Sequence, residues 1–271
     1  MNKIRRLYSL FSLSIACMCG LLSTLGASTF KTLHVPNADG EVGALQVLRY
    51  GPEHENGLLP AVLLFHGGSW QKGGPRQLSP YATEFADAGY VAYSAEYRLL
   101  GKNTDSVEDC VADAEAVYQW LVEHAEEEGI DVSRMFVGGA SAGGHLALCV
   151  FLKLNEVGAC RFQGYIGYNP VVTTQSERFE SLFEDFGVKY DPIAKLSNSA
   201  APMLILHGSE DPVVPMDSVR SFQRKAEAFG VSCKLEVFDG ETHGFFNQNR
   251  ASAEVRERLE AVALEFLSAH N

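Results

Sequence analysis

The segment Gly139-Ala140-Ser141-Ala142-Gly143 places a serine between small residues. An apolar run precedes it, and a stretch with helical patterning follows it. A serine in a tight strand-to-helix turn exposes its hydroxyl only where the residues two positions away on either side are small, since strand and helix must approach closely. The pattern predicts that Ser141 is a nucleophile for acyl transfer. The alternative is a tight structural turn.

A serine hydroxyl is a weak nucleophile unless a base takes its proton and an acid orients that base. Among the eight histidines of the chain, His243 is the favoured base because it follows the last predicted strand in the segment ETHGF, 241–245. The acid should follow the preceding strand, where the segment HGSEDP offers two carboxylates. We favour Asp211 over Glu210. For either acid, the alternative is a solvated loop carboxylate.

Acyl transfer also needs backbone N–H groups aimed at the oxygen that becomes negatively charged. The motif HGGSW at 66–70 directly follows the apolar run PAVLLF, and its glycines can turn N–H groups inward without a Cβ clash. Together with the N–H of Ala142, this turn would form an oxyanion hole. The same HGG motif without a nucleophile further along the chain would indicate only a turn.

The elements around these motifs alternate between β-rich runs and helical patterns, which is typical of an α/β fold with a mostly parallel central sheet and helices on both faces. One segment, 173–199, breaks the alternation; we expect a short lid there, and the alternative is an ordinary surface helix. Strands are predicted at 42–50, 60–65, 90–95, 134–138, 162–168, 202–206 and 233–238, and helices at 106–127, 142–154, 216–229 and 251–269.

Composition narrows the class of protein. With 271 residues, 46% of them hydrophobic and 21% charged, the chain has the material for one globular domain with a large core. Its 34 acidic against 22 basic residues give a net charge of −12. This balance disfavours nucleic acid or anionic lipid as the main partner and suits a neutral or small substrate.

Residues 1–28 have the layout of a secretory signal peptide, with Lys3, Arg5 and Arg6 before an apolar run and small residues at the end. Cleavage would leave a single domain over 29–271, in a secreted or periplasmic protein, and would remove these three positive charges. The alternative is a retained membrane anchor.

Four cysteines remain in the predicted mature chain, and they allow three full pairings. Cys149 and Cys160 are closest in sequence, but Cys110, Cys233 and these two could equally be free thiols. No metal-binding spacing of His, Cys or acidic residues is found, and the glycine cluster lacks the dinucleotide-binding pattern. We therefore expect neither a metal nor a cofactor.

The chain resembles the esterase/lipase group of α/β hydrolases, which includes the hormone-sensitive-lipase-like enzymes, and is closer to short carbohydrate-esterase-like members such as acetyl xylan or feruloyl esterases. The order Ser141, Asp211, His243 along the chain is that of this fold. The resemblance covers the whole predicted mature chain, and its motifs are HGGSW at 66–70, EYRL at 96–99, GGASAGGHLA at 138–147, HGSEDPVVP at 207–215 and THGF at 242–245.

The resemblance implies that Gly68 and Ser69 supply oxyanion N–H groups, although Ser69 stands where the family often has glycine. It also implies a shallow, open pocket, because the stretch before PAVLLF is too short for the large N-terminal cap of the hormone-sensitive-lipase-like members. We expect the rings of Trp70 and Phe245 to flank the bound acyl group or sugar.

The favoured function is a secreted serine esterase for short-chain carboxylic esters, with small-molecule or oligosaccharide esters as substrates and no membrane partner after the signal is removed. A serine peptidase of the prolyl-oligopeptidase type is one alternative; those enzymes usually carry an aromatic residue where this chain has Ala142. A non-catalytic carbohydrate-binding protein on the same fold is another. The oligomeric state is open.

Overall fold

A computed structural model describes residues 30–52, 57–156, 162–180, 182–183 and 188–271. The predicted signal peptide, residues 1–28, lies outside these residues, and so does Cys160. Within the described residues no helix is both long and apolar enough to cross a membrane.

Strands and helices alternate along most of the chain. The strands are Phe30–Val35 (β1), Leu45–Tyr50 (β2), Leu59–Phe65 (β3), Val91–Ala95 (β4), Ile130–Ala140 (β5), Gly164–Tyr168 (β6), Met203–Gly208 (β7) and Cys233–Phe238 (β8). The helices are Ser79–Asp87 (α1), Val107–Glu123 (α2), Ala125–Glu128 (α3), Ala142–Glu156 (α4), Glu177–Glu180 (α5), Pro192–Lys195 (α6), Met216–Ala228 (α7) and Ala253–His270 (α8), and a short 3-10 turn spans Pro75–Leu78.

The strands form one sheet in the order β1-β2-β4-β3-β5-β6-β7-β8. From β4 to β8 neighbouring strands are parallel, while β1 and β2 pair antiparallel at one end. The predicted α/β class with a mostly parallel sheet is therefore confirmed. Because the central strands are parallel, their carboxyl ends meet at one edge of the sheet. The segments that follow β3, β5, β6, β7 and β8 all begin at that edge.

Apolar residues on both faces of the sheet form two core clusters. One face packs against α2, α4 and α7, through residues such as Leu121, Phe151 and Phe222. The other packs against α1 and α8, through residues such as Phe85 and Leu267. Burying side chains of this size stabilises a fold by about 1.5–3 kcal/mol each. The apolar sequence of β3 follows from this arrangement, since both of its faces are covered.

The sequence analysis did not predict β1 or α1, and one predicted helix is divided. β1 is a sheet-edge strand in which only Leu33 and Val35 are buried, so its apolar pattern is too short to identify. α1 starts with proline in its first turn. The predicted helix at 106–127 ends at Glu123, where the His124 ring Nδ1 lies 2.9 Å from the carbonyl of Trp120.

The three described cysteines are free thiols: Cys110, Cys149 and Cys233. Burial raises the pKa of Cys110 and of Cys233 to about 12, so both thiols are protonated at neutral pH. Cys160, the cysteine closest in sequence to Cys149, lies outside the described residues.

Candidate active site

Ser141 occupies a strained turn between β5 and α4. Its φ angle is 50°, in the left-handed region that residues with a side chain rarely adopt. The Ser141 N–H donates to the carbonyl of Tyr168 at 2.9 Å, and its own carbonyl accepts from the N–H groups of His145 and Val171 at 3.1 and 3.2 Å. These hydrogen bonds over-determine the conformation, which is how such strain persists at functional sites.

The glycines beside this serine are required by close backbone contacts. A Cβ at Gly139 would lie 2.5 Å from the carbonyl oxygen of Phe65, and one at Gly143 would lie 2.2 Å from the carbonyl oxygens of Phe65 and His66. Any larger residue would therefore push β5 or α4 away from the end of β3. This contact is the physical reason for the spacing on which the prediction of Ser141 rests.

His243 lies in the loop after β8 and faces the serine. Its Nε2 is 2.9 Å from Ser141 Oγ, and its Nδ1 is 2.7 Å from Asp211 Oδ2. An ionised carboxylate only accepts hydrogen bonds, so Nδ1 carries the proton and donates to Asp211. Nε2 of the neutral ring is then free to accept the Ser141 hydroxyl proton.

Asp211 is buried and held from three directions. Its Oδ1 accepts hydrogen bonds from the N–H groups of Val213 and Val214 at 2.8 and 2.9 Å. Burial alone would raise the pKa of Asp211, but the hydrogen bonds from His243 and from these two amides hold it below its ordinary value. The carboxylate is therefore ionised at neutral pH. The structure brings Asp211, and not Glu210, to the ring of His243.

Sequence reasoning missed Asn169, which directly follows β6. Its side-chain amide donates to Asp211 Oδ2 at 2.6 Å, and its backbone N–H donates to the carbonyl of Leu206 at 2.9 Å. Its φ angle is 46°, a conformation that asparagine tolerates better than most residues. The available signal was a polar residue at the carboxyl end of a parallel strand.

The turn after β3 carries three consecutive positive φ angles, at Gly68 (135°), Ser69 (55°) and Trp70 (60°). The N–H of Gly67 is used, since it donates to the side chain of Gln77 at 2.6 Å. The N–H groups of Gly68 and Ser69 have no acceptor among the described residues.

This turn lies against the nucleophile, because a Cβ built on Gly67 would lie 3.3 Å from Ser141 Cβ. Ala142 directly follows the serine and begins α4, so its N–H is a helix N-terminal donor without an intrahelical acceptor. The structure thus brings unpaired donors of both segments next to Ser141.

The expectation that Trp70 and Phe245 flank bound substrate is corrected by their burial. Trp70 has no exposed surface, and Phe245 is 1% exposed, whereas a side chain that lines an open pocket keeps a solvent-facing edge. Phe245 packs against Phe238 at 4.8 Å between ring centroids. Sequence could not show the burial of Trp70, because the rings of Phe179 and Phe183 that cover it come from a distant segment.

Two histidines near the site are excluded as bases by their surroundings. Burial lowers the pKa of His66 and of His145 to about 4, so both rings are neutral. His145 Nε2 donates to the carbonyl of Tyr190 at 2.7 Å, and His66 stacks on Tyr97 at 4.3 Å. The described residues hold no group of three or more His, Cys, Asp or Glu that could bind a metal ion.

A cavity of 430 Å³ lies away from this chemistry. It is bounded by α2, α4 and the segment 189–195, with Cys149, Leu152 and Tyr190 in its wall. Cys149 is eight residues after Ser141, about 12 Å along a helix at 1.5 Å per residue. The cavity is therefore separate from the Ser141 site.

The alpha/beta hydrolase fold family matches residues 62–195 of the chain. The structure of the esterase Est2 from the planctomycete Thermogutta terrifontis superposes with a TM-score of 0.77 and 30% identity, covering 89% of this chain and 91% of that one. The chain belongs to the α/β-hydrolase family, in the group that contains esterases. Other structures of the Thermogutta esterase are propionate-bound, butyrate-bound or phosphorylated by paraoxon.

Curated relatives point to the same group. Ethyl acetate hydrolase from Pseudomonas putida is 28% identical over 267 residues, which is 88% of this chain and 82% of that protein. Isoprenylcysteine alpha-carbonyl methylesterase from Arabidopsis thaliana is 24% identical over 225 residues, 72% of this chain. The chain spans about half the length of that methylesterase and of the next two curated relatives.

Proposed function

We propose that this protein is a serine hydrolase of short-chain carboxylic esters that works through an acyl-enzyme on Ser141. The observation that carries the proposal is the hydrogen-bonded series Ser141 Oγ, His243 Nε2 and Nδ1, Asp211 Oδ2, with distances of 2.9 and 2.7 Å. These distances lie within the range in which a nucleophile and its base transfer a proton. The esterases to which the chain is similar support the same chemistry.

In the first half-reaction, His243 Nε2 takes the hydroxyl proton while Ser141 Oγ bonds to the ester carbonyl carbon. The carbonyl electron pair moves onto the oxygen, where the N–H groups of Gly68, Ser69 and Ala142 would stabilise it. Collapse of this intermediate breaks the bond to the alcohol oxygen. The alcohol leaves with the proton from His243, and the acyl group stays on Ser141.

Water completes the cycle by the same steps. His243 removes a proton from water, whose oxygen bonds to the acyl carbon, and the second intermediate expels Ser141 Oγ. The serine recovers its proton from His243, and the carboxylic acid is released. Asp211 stays ionised throughout and stabilises the imidazolium that forms twice in each turnover.

The acyl group in this proposal is short. Propionate-bound and butyrate-bound structures of the Thermogutta esterase, and the ethyl acetate hydrolase relative, favour the same range. Acetyl or feruloyl esters of plant polysaccharide are the substrate class within this proposal that family resemblance suggests.

The proposal is tested with paraoxon, which should modify the protein stoichiometrically. Peptide mass spectrometry should place the diethylphosphoryl group on Ser141, and Ser141→Ala should not be labelled. The wild type should also hydrolyse 4-nitrophenyl acetate with turnover. Absence of labelling in the wild type would favour a non-catalytic binding protein, and faster cleavage of prolyl amides than of esters would favour the peptidase.

Export is a separate part of the proposal and rests on the charged, apolar and small-residue pattern of residues 1–28. N-terminal sequencing of protein recovered outside the cytoplasm should give a mature chain that begins close to residue 29. Retention of the apolar run on membrane-bound protein would support the anchor instead.

A further inference from the structure

Trp70 is fully buried at the meeting point of three other rings. Its ring centroid lies 5.3 Å from that of His145, 5.6 Å from that of Phe179 and 5.2 Å from that of Phe183. All three contacts are edge-to-face, with interplanar angles between 82° and 89°, the arrangement that aromatic pairs prefer. The indole is therefore held by two other segments of the chain, the start of α4 and the stretch that carries Phe179 and Phe183.

The backbone attached to this ring needs such support. Gly68, Ser69 and Trp70 have consecutive positive φ angles, and two of these residues carry side chains that disfavour the left-handed region. The Trp70 indole N–H has no hydrogen-bond partner among the described residues, so the ring is held by packing. The Trp70 carbonyl is fixed separately, since it accepts from the N–H of Leu100 at 2.8 Å.

The same cluster touches the other half of the predicted oxyanion hole. His145 lies in the first turn of α4, the helix that begins with Ala142, and its N–H donates to the carbonyl of Ser141 at 3.1 Å. Contact between the Trp70 and His145 rings thus connects the two segments that carry the predicted donors. One segment carries the N–H pair of Gly68 and Ser69, and the other carries the N–H of Ala142.

We infer that Trp70 is a positioning residue for the oxyanion hole, and that Phe179 and Phe183 hold it in place. The inference rests on the proposed function, because it assigns these residues an effect on ester hydrolysis. In this arrangement the aromatic cluster does not touch the substrate. It keeps the Gly68 and Ser69 N–H groups aimed at the point where the oxyanion forms, without reorganisation during the reaction.

A purely structural role would make the same residues matter only for stability, so the test needs a matched control. Phe151 is such a control: it is fully buried, lies in α4 like His145, belongs to the same apolar cluster, and packs against Phe162 and Tyr165. Phe151→Ala should lower the unfolding temperature about as much as Phe183→Ala. It should leave the oxyanion turn unchanged.

The readout is the ratio of kcat for an acetate ester to kcat for the matched thionoester, in which sulfur replaces the carbonyl oxygen. Sulfur is a weak hydrogen-bond acceptor, so the thionoester gains less from a well-aimed oxyanion hole. Removing one oxyanion donor costs about 10²–10³ in kcat, and misaiming two should cost at least about tenfold. We therefore expect Trp70→Ala and Phe183→Ala to lower kcat on the ester by at least about tenfold, and kcat on the thionoester by much less. KM should stay within about twofold of the wild-type value.

Trp70→Phe and Phe183→Leu should recover part of the ester rate, and they serve as the test if an alanine variant fails to fold. Equal losses on ester and thionoester, or a ratio in Phe183→Ala that matches Phe151→Ala, would overturn the positioning role. Paraoxon labelling of the wild type separates the two proposals. If Ser141 is labelled and the ratios do not change, only the positioning role fails; if Ser141 is not labelled, both fail.

Discussion

Asn169 and His243 donate to the same oxygen of Asp211. The Asn169 amide lies 2.6 Å from Oδ2, and His243 Nδ1 lies 2.7 Å from it. Asp211 Oδ2 therefore accepts from the asparagine and the histidine in the same carboxylate orientation. Two donors on one oxygen fix the direction of the Asp211–His243 hydrogen bond.

We expect Asn169→Ala to lower kcat about tenfold or more, because a hydrogen bond to a charged group contributes about 1.5–3 kcal/mol and here fixes the orientation of Asp211. Asn169→Asp should be more damaging, since a second carboxylate next to Oδ2 would favour protonation of one of the pair. Steady-state kinetics on a short ester measures both. Wild-type kcat in Asn169→Asp would exclude a role for the amide.

The acid is tested with two nearly isosteric variants. Asp211→Asn should lower kcat by about 10⁴, because an amide in that place favours the tautomer that cannot accept the serine proton. Glu210→Gln should keep kcat close to the wild-type value, since His243 bonds to Asp211. The opposite result would move the role to Glu210.

Ser141→Ala and His243→Ala should each lower kcat by several orders of magnitude without unfolding the protein. The double variant should be little slower than either single one, because residues that act as a unit show strongly non-additive effects. Circular dichroism controls for folding. Losses that multiply would indicate that one of the two residues acts outside the proposed series.

Ser141, Asp211 and His243 could be predicted because each follows a parallel strand, and the fold brings the carboxyl ends of such strands together. The glycines around Ser141 added a local requirement, because a Cβ built on Gly139 or Gly143 would lie only 2.2–2.5 Å from a backbone carbonyl oxygen. Both signals are contained in short stretches of sequence. The mostly parallel sheet was predictable from the alternation of β-rich runs and helical patterns along the chain.

Asn169 and Trp70 depended on information that no short stretch contains. Asn169 and Asp211 are 42 residues apart in sequence, and the residues around each of them do not indicate that the two side chains are in contact. The aromatic residue after Ser69 suggested a pocket wall, but its cover comes from Phe179 and Phe183, more than 100 residues further along the chain. Whether a ring faces substrate or core is decided by that tertiary contact.

Glu84 should give the fold a pH-dependent stability. Burial first, and then the neighbouring carboxyl of Glu260, raise the pKa of Glu84 from its ordinary value of 4.5 to about 9. Between these two values the folded state holds a proton that the unfolded state has released, so the free energy of unfolding falls as pH rises through this window. Below about pH 4.5 both states are protonated, and above about pH 9 the loss is complete.

Glu84→Gln should therefore be more stable than the wild type, by a margin that grows from pH 5 to pH 9. Urea unfolding at several pH values measures this margin. Glu257→Gln, at an exposed position of α8, is the control for removing a carboxylate and should not change the slope. A constant difference between Glu84→Gln and the wild type across this range would contradict the assignment.

Acyl-chain length is the last prediction, and it follows from the proposed short-chain ester substrate. An open channel would favour longer chains by about 0.8 kcal/mol for each buried methylene, or roughly 200-fold in kcat/KM between butyryl and octanoyl esters. The proposed short acyl group predicts instead that kcat/KM peaks from acetyl to butyryl and falls by octanoyl. A series of 4-nitrophenyl esters measures the profile. Trp70→Ala should slow every ester by a similar factor and leave the preferred length unchanged, since the ring acts on the oxyanion that all substrates share. A steady rise in rate to octanoyl and beyond would contradict the short-acyl assignment and indicate a lipase.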